Sequence, residues 1–144
     1  MTERLADILL VEDDPEDADL TRETLLRQQL YNRLHVVQDG DEAMRFLRRE
    51  DDHADAPRPD LMILDMSLPR MNGWEVLAEV KTDVDLRSIP VVVLSSSENE
   101  EIVQQAYDLF ANCYIVKPVD LKQYIEVIKS IENFWIKVVN LWPE

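Results

Sequence analysis

Five side chains standing at the ends of four apolar runs could do chemistry together. Ile8-Leu9-Leu10-Val11 runs into Glu12-Asp13, Leu61-Met62-Ile63-Leu64 into Asp65, Val91-Val92-Val93-Leu94 into Ser95, and Cys113-Tyr114-Ile115-Val116 into Lys117. Three clustered carboxylates repel one another unless a cation sits among them, and hard oxygen donors select Mg²⁺, which keeps waters and binds few carboxylates. Such a site suits transfer of a phosphoryl group onto a carboxylate. The metal and a lysine neutralise the phosphoryl oxygens, and a hydroxyl such as Ser95 donates a hydrogen bond. A single strand-end aspartate is often a helix cap, and Lys-Pro after a strand is often loop. Matching residues at four strand ends are what carry the reading.

The elements that must position these residues follow from the apolar pattern. The four runs are short, continuous and bounded by polar residues, as strands buried on both faces are. His35-Val36-Val37 is a weaker additional strand. Asp14 as N-cap, Pro15 at the first helical position, and Glu16 and Asp17 in the first turn predict a helix after the first run. Capping accounts for Asp14, Glu16 and Asp17, but not for the Glu12-Asp13 pair. Asp39-Gly40-Asp41 leads into a helix with Ala43, Met44, Phe46 and Leu47 on one face. Residues 49–59 read as a polar, acidic loop. After Asp65, Pro69 and Asn72-Gly73 are turn punctuation, and a helix from Trp74 turns Val76, Leu77 and Val80 inward. Asn99 to Phe110 is helical, with Glu100 and Glu101 in its first turn, and a long last helix begins at Asp120. Five strands alternating with five helices predict an α/β fold, a doubly wound parallel sheet covered on both faces.

The bulk properties narrow the class. A chain of 144 residues with 46% hydrophobic content is long enough for one globular domain. Its net charge of -15 argues against nucleic acid as a partner, because acidic residues outnumber the basic ones that would have to neutralise a phosphate backbone. That charge suits a divalent cation or a partner with a basic surface, or simply a well-solvated one. No apolar run is long enough for a membrane span, and Met1-Thr2-Glu3-Arg4 begins no secretory signal, so a cytoplasmic protein without membrane contact is expected. A lone cysteine, Cys113, leaves no disulfide framework and no cysteine zinc site, and reads as a small buried hydrophobe. His35 and His53 stand isolated, with no second ligand at a useful spacing.

In order and spacing, Leu10-Val11-Glu12-Asp13-Asp14, Leu64-Asp65-Met66 through Pro69 to Gly73, Val93-Leu94-Ser95-Ser96 and Tyr114-Ile115-Val116-Lys117-Pro118 resemble the receiver domains of two-component response regulators. The resemblance implies the flavodoxin-like (βα)5 three-layer sandwich, with a five-stranded parallel sheet in the order 2-1-3-4-5. It implies that Asp65 is the phosphoacceptor and that Asp13, Glu12 through water, Asp65 and the Ser67 backbone carbonyl hold Mg²⁺. By the same resemblance Ser95 is the switch hydroxyl, Tyr114 the switch aromatic and Lys117 the cation that meets the phosphoryl group. Pro118 would hold the following bend through a cis bond. Three positions depart from the usual pattern: Glu12 for Asp, Ser95 for Thr, and Phe110 where a glycine often precedes the last strand. The implied partner is a sensor histidine kinase. The acidic loop before Asp60, the stretch from Asp108 to Tyr114 and the Phe134-Trp135 tail are similar to single-domain regulators of phytochrome-type and other PAS-containing kinases.

A receiver needs about residues 1–130, which leaves 131–144 as a helical extension. Positions 121, 124, 125, 128, 131, 135 and 138 form a stripe toward the core, while Phe134, Ile136, Val139 and Trp142 lie off it. With Trp135 these predict an interface, most simply a homodimer through the last two helices and last strand; the alternative is a tail folded back on its own domain. Rival functions are weaker. A Mg²⁺-dependent aspartyl phosphatase needs a second acid where Ser67 stands, and a flavodoxin-like electron carrier needs a phosphate-cradling loop where Glu12-Asp13-Asp14 would repel phosphate. A receiver kept only for docking remains the alternative to a phosphoryl switch.

Overall fold

The computed structural model describes residues 6–27, 32–66 and 72–138. Five parallel strands, β1 (Ala6–Val11), β2 (Asn32–Val37), β3 (Leu61–Asp65), β4 (Val91–Ser95) and β5 (Cys113–Val116), form one sheet in the order β2-β1-β3-β4-β5. Five helices connect and extend them: α1 (Pro15–Arg27), α2 (Gly40–Arg48), α3 (Gly73–Thr82), α4 (Glu100–Asp108) and α5 (Leu121–Glu132). The flavodoxin-like (βα)5 order expected from the motifs is the order observed.

Alternation along the strands sorts the apolar side chains into two cores. Ile8, Leu10, Ile63 and Leu94 pack against Ala18 and Leu25 of α1 and Tyr124, Ile128 and Ile131 of α5. Leu9, Val11, Leu64 and Val93 pack against α2, α3 and Ala106 of α4. The sheet is thus sealed on both faces, and its free chemistry is confined to the strand ends. Near the start of β1 the buried Asp7 carboxylate takes both guanidinium arms of Arg33, at 2.9 and 3.0 Å, and lies 3.0 Å from His35 Nε2. Asp7 N–H also donates to the Asp60 carboxylate at 2.8 Å, which locks the entry of β3 to β1.

Local signals place the helix starts. Asp14 accepts from Glu16 N–H at 2.9 Å, Asp39 from Glu42 N–H at 2.8 Å, and Asp120 from Lys122 N–H at 2.8 Å. Asn72, read from sequence as a turn residue, is instead the N-cap of α3 in a full capping box with Glu75. The polar loop after α2 contains a 3₁₀ turn, Asp51–His53, that carries His53 back over α2. Its ring nitrogen lies 3.1 Å from Glu42 and 3.8 Å from Asp52, and both histidines flank Phe46, so neither is isolated. Eleven positions separate Glu42 from His53, a distance in sequence that no ligand spacing rule covers.

Helix α4 ends in a Schellman turn. Phe110 N–H donates to Tyr107 C=O at 2.9 Å and Ala111 N–H to Ala106 C=O at 3.1 Å, with Phe110 in the left-handed region at φ 68°. The glycine missing from the motif is therefore missing where its freedom is needed, and the Phe110 side chain is 73% exposed. Left-handed backbone costs an L-residue roughly 1–2 kcal/mol. Phe110→Gly is expected to raise unfolding stability by about 1 kcal/mol, read as a higher urea midpoint at unchanged slope; an equal or lower midpoint would refute the strain.

The chain after α5 continues as a wider π-helical stretch, Asn133–Val138, so the stripe expected to 138 loses its α-period at Asn133. Tyr124, Ile128 and Ile131 of that stripe are buried, but Leu121 at its start is exposed. Trp135 leans on the α1–α5 core and meets Phe134 edge to face, while Phe134 itself is 53% exposed. The side chain of Ile136, together with Val139 and Trp142, lies outside the described residues.

Candidate functional site

The sheet order reverses direction between β1 and β3, and in open α/β sheets ligands gather beyond the carboxyl ends of the strands at that point. Glu12 and Asp13 leave β1 there, and Asp65 closes β3 beside them. The carboxylates of Glu12, Asp13 and Asp65 each bring an oxygen within 4.8 Å of the others. Glu12 and Asp65 are buried, and Asp13 is exposed.

Lys117 enters from the end of β5. Its Nζ donates to Glu12 Oε1 at 3.0 Å and Asp65 Oδ2 at 3.1 Å, and stands 2.8 Å from Asp17 Oδ2 on α1. Burial works against the ammonium charge, but bonds to Asp17 and Glu12 and the Asp65 charge more than offset it, and Lys117 is held charged above its ordinary range. One cation does not balance the cluster, however. Burial, with a bond and like charge from Asp65, pushes the Glu12 carboxyl up to about 8 against the opposing pull of Lys117. Hard oxygen donors and surplus negative charge are what a divalent cation needs, so Glu12, Asp13 and Asp65 fit one.

A cation held at this cluster would favour the ionised form of Glu12 over the protonated one. Apparent affinity for Mn²⁺ or Mg²⁺ is therefore expected to rise roughly tenfold per pH unit between about 6 and 8 and to level off above, since the group is deprotonated there. Calorimetric titration at several pH values checks this, and an affinity flat across that window would contradict it.

Around this centre the remaining sequence candidates fall into place unequally. Ser95 ends β4, one residue past the Asp65 partner Leu94, and its hydroxyl accepts from Ser97 N–H at 3.2 Å. The Tyr114 hydroxyl donates to Ser97 C=O at 2.8 Å. Ser95 and Tyr114 thus both hydrogen-bond to the same residue, Ser97. The Tyr114 N–H donates to the Tyr107 hydroxyl at 3.0 Å, tying β5 to α4. Ser67 lies outside the described residues. The bond between Lys117 and Pro118 is trans, not the cis bond expected, with Lys117 N–H held by Ser95 C=O at 2.7 Å.

Sequence reading missed three residues of this site. Asp17 reads as a first-turn acid of α1 and nothing more, yet of the three carboxylates around Lys117 Nζ its own is the nearest. Tyr124 reads as core and Thr21 carries no signal of its own, but their hydroxyls lie 3.2 Å apart and the Tyr124 ring sits 5.9 Å from Lys117 Nζ. The four-residue step from Asp17 to Thr21 puts both on one face of α1, the one available signal.

An open parallel sheet of this order, with an acid triad and a lysine at its switch point, defines the receiver class of signalling domains. Residues 8–129 match the response regulator receiver domain, and the chain belongs to that family. It is 43% identical over 134 residues to response regulator Rcp1 of Synechocystis sp., covering 93% of this chain and 91% of Rcp1. The phosphorylated cyanobacterial phytochrome response regulator RcpA superimposes with a TM-score of 0.93 at 45% identity, over 97% of this chain and all of RcpA (100%). The Mn²⁺-bound form of Rcp1 does so with a TM-score of 0.92 at 42% identity, over 96% and 99% of the two chains. The chain is therefore a response regulator by family. Among its described residues no helix is long and apolar enough to cross a membrane.

Proposed function

We propose that this response regulator accepts a phosphoryl group on Asp65 from a phosphohistidine of a sensor histidine kinase. An Asp65 carboxylate oxygen attacks phosphorus, the phosphorus–nitrogen bond to the donor imidazole breaks, and its electron pair stays with the imidazole. The observation that carries this is the placement of the Asp65 carboxylate 3.1 Å from Lys117 Nζ within an acid cluster short of positive charge. Lys117 screens the incoming phosphoryl oxygens, and Glu12 and Asp13 hold the cation. Asp65, with the Ser67 carbonyl expected from the resemblance, would complete the ligands of Mg²⁺, which would supply the remaining charge neutralisation. Ser95 then turns its hydroxyl from Ser97 N–H to the phosphoryl group, and Tyr114 follows through Ser97, altering the surface of α4, β5 and α5.

Residues 1–130 form the receiver and 131–144 a dimerising extension in this reading. An apolar groove between β5 and α5, lined by Cys113, Ile115, Val127, Ile131, Phe134 and Trp135, supports a second copy as its occupant. The phytochrome setting of RcpA makes a phytochrome-like, PAS-containing kinase the proposed donor and the cytoplasm the proposed location, with protein partners and neither membrane nor nucleic acid. No reaction beyond its own phosphorylation and dephosphorylation is assigned. Beryllofluoride with Mg²⁺ mimics the acyl phosphate. Bound fluoride resonances in the native chain and none in Asp65→Asn are expected, with a mass increase in light scattering if assembly is coupled. Equal binding by both chains would leave only a docking module.

A further inference from the structure

We propose that Asp17 is a positioning residue for Lys117, a carboxylate on α1 that holds the ammonium beside Asp65 while the acid triad is given over to a cation. The inference rests on the reading of Asp65 as phosphoacceptor for its consequence, though not for its geometry.

An ammonium has three donors, and Lys117 spends them on three carboxylates: Asp17 at 2.8 Å, Glu12 at 3.0 Å and Asp65 at 3.1 Å. Glu12 and Asp65 belong to the triad that fits a divalent cation, and Asp17 does not. Asp17 is thus the anchor whose hold on Lys117 is independent of the cation. An anchor is needed because the lysine lies on the wall of an open cleft of about 430 Å³, bounded also by Asp17, Ser96, Val119 and Tyr124. A four-carbon stem released from Asp17 can swing into that space, and its rotamer entropy favours doing so.

Asp17 is itself braced. Its backbone carbonyl accepts from Thr21 Oγ1 at 2.9 Å, Thr21 lies 3.2 Å from the Tyr124 hydroxyl, and the Tyr124 ring stands under Lys117. Thr21 is wholly buried and Tyr124 nearly so. Lys117 is consequently gripped from α1 and from α5 at once, and its change of partner on phosphorylation is transmitted to the packing of those two helices.

Two measurements test this. In ¹⁵N-lysine-labelled native protein the Lys117 ammonium protons should exchange slowly and give a resolved signal. That signal is expected to broaden away in Asp17→Asn and to return in Asp17→Glu. Persistence of the signal in Asp17→Asn overturns the proposal without reference to phosphate. In phosphorylation by acetyl phosphate with Mg²⁺, Asp17→Asn should lower the maximal rate about fivefold at an unchanged half-saturating donor concentration and unchanged Mn²⁺ affinity, with Asp17→Glu restoring most of it. A rate loss that tracks a fall in melting temperature and is not rescued by Glu means a structural role only, and overturns it. If the native chain takes no phosphoryl group while its Lys117 signal responds to Asp17, the acceptor reading fails and the anchor stands.

Discussion

Lys117→Met is expected to destabilise the metal-free protein by about 2 kcal/mol while tightening its hold on a divalent cation and nearly abolishing phosphoryl uptake. Methionine keeps the length of the stem and removes the charge. In the native site the ammonium donates to buried carboxylates of Glu12 and Asp65, and removing one partner of such a cluster leaves groups that must find protons instead. The loss is held to a few kcal/mol because Glu12, already pushed up to about 8, is largely protonated at neutral pH and can bond to Asp65. Lys117 pulls the Glu12 carboxyl down, so the cost should be flat below about pH 8 and grow above it, where Glu12 ionises beside the ammonium in the native chain but keeps its proton in the variant. Metal affinity moves the other way. Lys117 occupies oxygens that the cation needs, so its removal frees ligands and removes a like charge. Phosphoryl uptake should fall by about a hundredfold or more, since the charge that meets the phosphoryl oxygens is lost. Urea melts, calorimetry and label uptake on one variant give three signs. A variant that loses metal affinity together with stability would show that Lys117 organises the triad rather than competes for it.

Gly73→Ala should be severe although alanine is the better helix former. A Cβ at position 73 would stand 2.6 Å from Met66 Cα, 2.8 Å from Met66 Sδ and 2.9 Å from Asp65 O. The sulphur can swing aside, but the Met66 Cα and the Asp65 carbonyl are backbone at the exit of β3. Met66 N–H is bonded to Leu94 C=O at 3.2 Å, so the strand end cannot give without disturbing β4. Helix α3 must back away, or Asp65 must turn. A loss of about 2–3 kcal/mol is expected, with metal affinity down about tenfold, because overpacking costs in this range and the displaced residue is one of the proposed ligands. Helix propensity alone gives the opposite sign, a gain of up to about 1 kcal/mol. A variant as stable as the native chain, with unaltered metal affinity, would mean that α3 has slack at its first turn.

The placement of the strand-end residues was legible in the sequence because apolar runs that stop abruptly in Glu12-Asp13, Asp65, Ser95 and Lys117 need only a parallel sheet to set them along one edge. Local signals made Asp14 legible as a cap, and Asp39 and Asp120 as the places where helices begin, while their capping bonds came from the structure. What stayed hidden depends on contacts between segments far apart in the chain. Asp17 carries an ordinary first-turn signature, and only the arrival of Lys117 from β5 gives it a second role. Gly73 looked like turn punctuation, whereas its small size answers to Met66 seven residues earlier across a loop. His53 finds Glu42 and Asp52 only because a 3₁₀ turn folds back over α2. Phe110 was noticed as a missing glycine, and the structure adds that its backbone does take the left-handed conformation.

Label transfer from a radioactive small phosphodonor in the presence of Mg²⁺, comparing the native chain with Asp65→Asn, bears most directly on the assignment of Asp65. Acid-stable, base-labile label on the native chain, absent from Asp65→Asn and from native protein treated with a chelator, is the expected result. Label of equal intensity on Asp65→Asn would contradict the account, since the carboxylate beside Lys117 would then not be the acceptor.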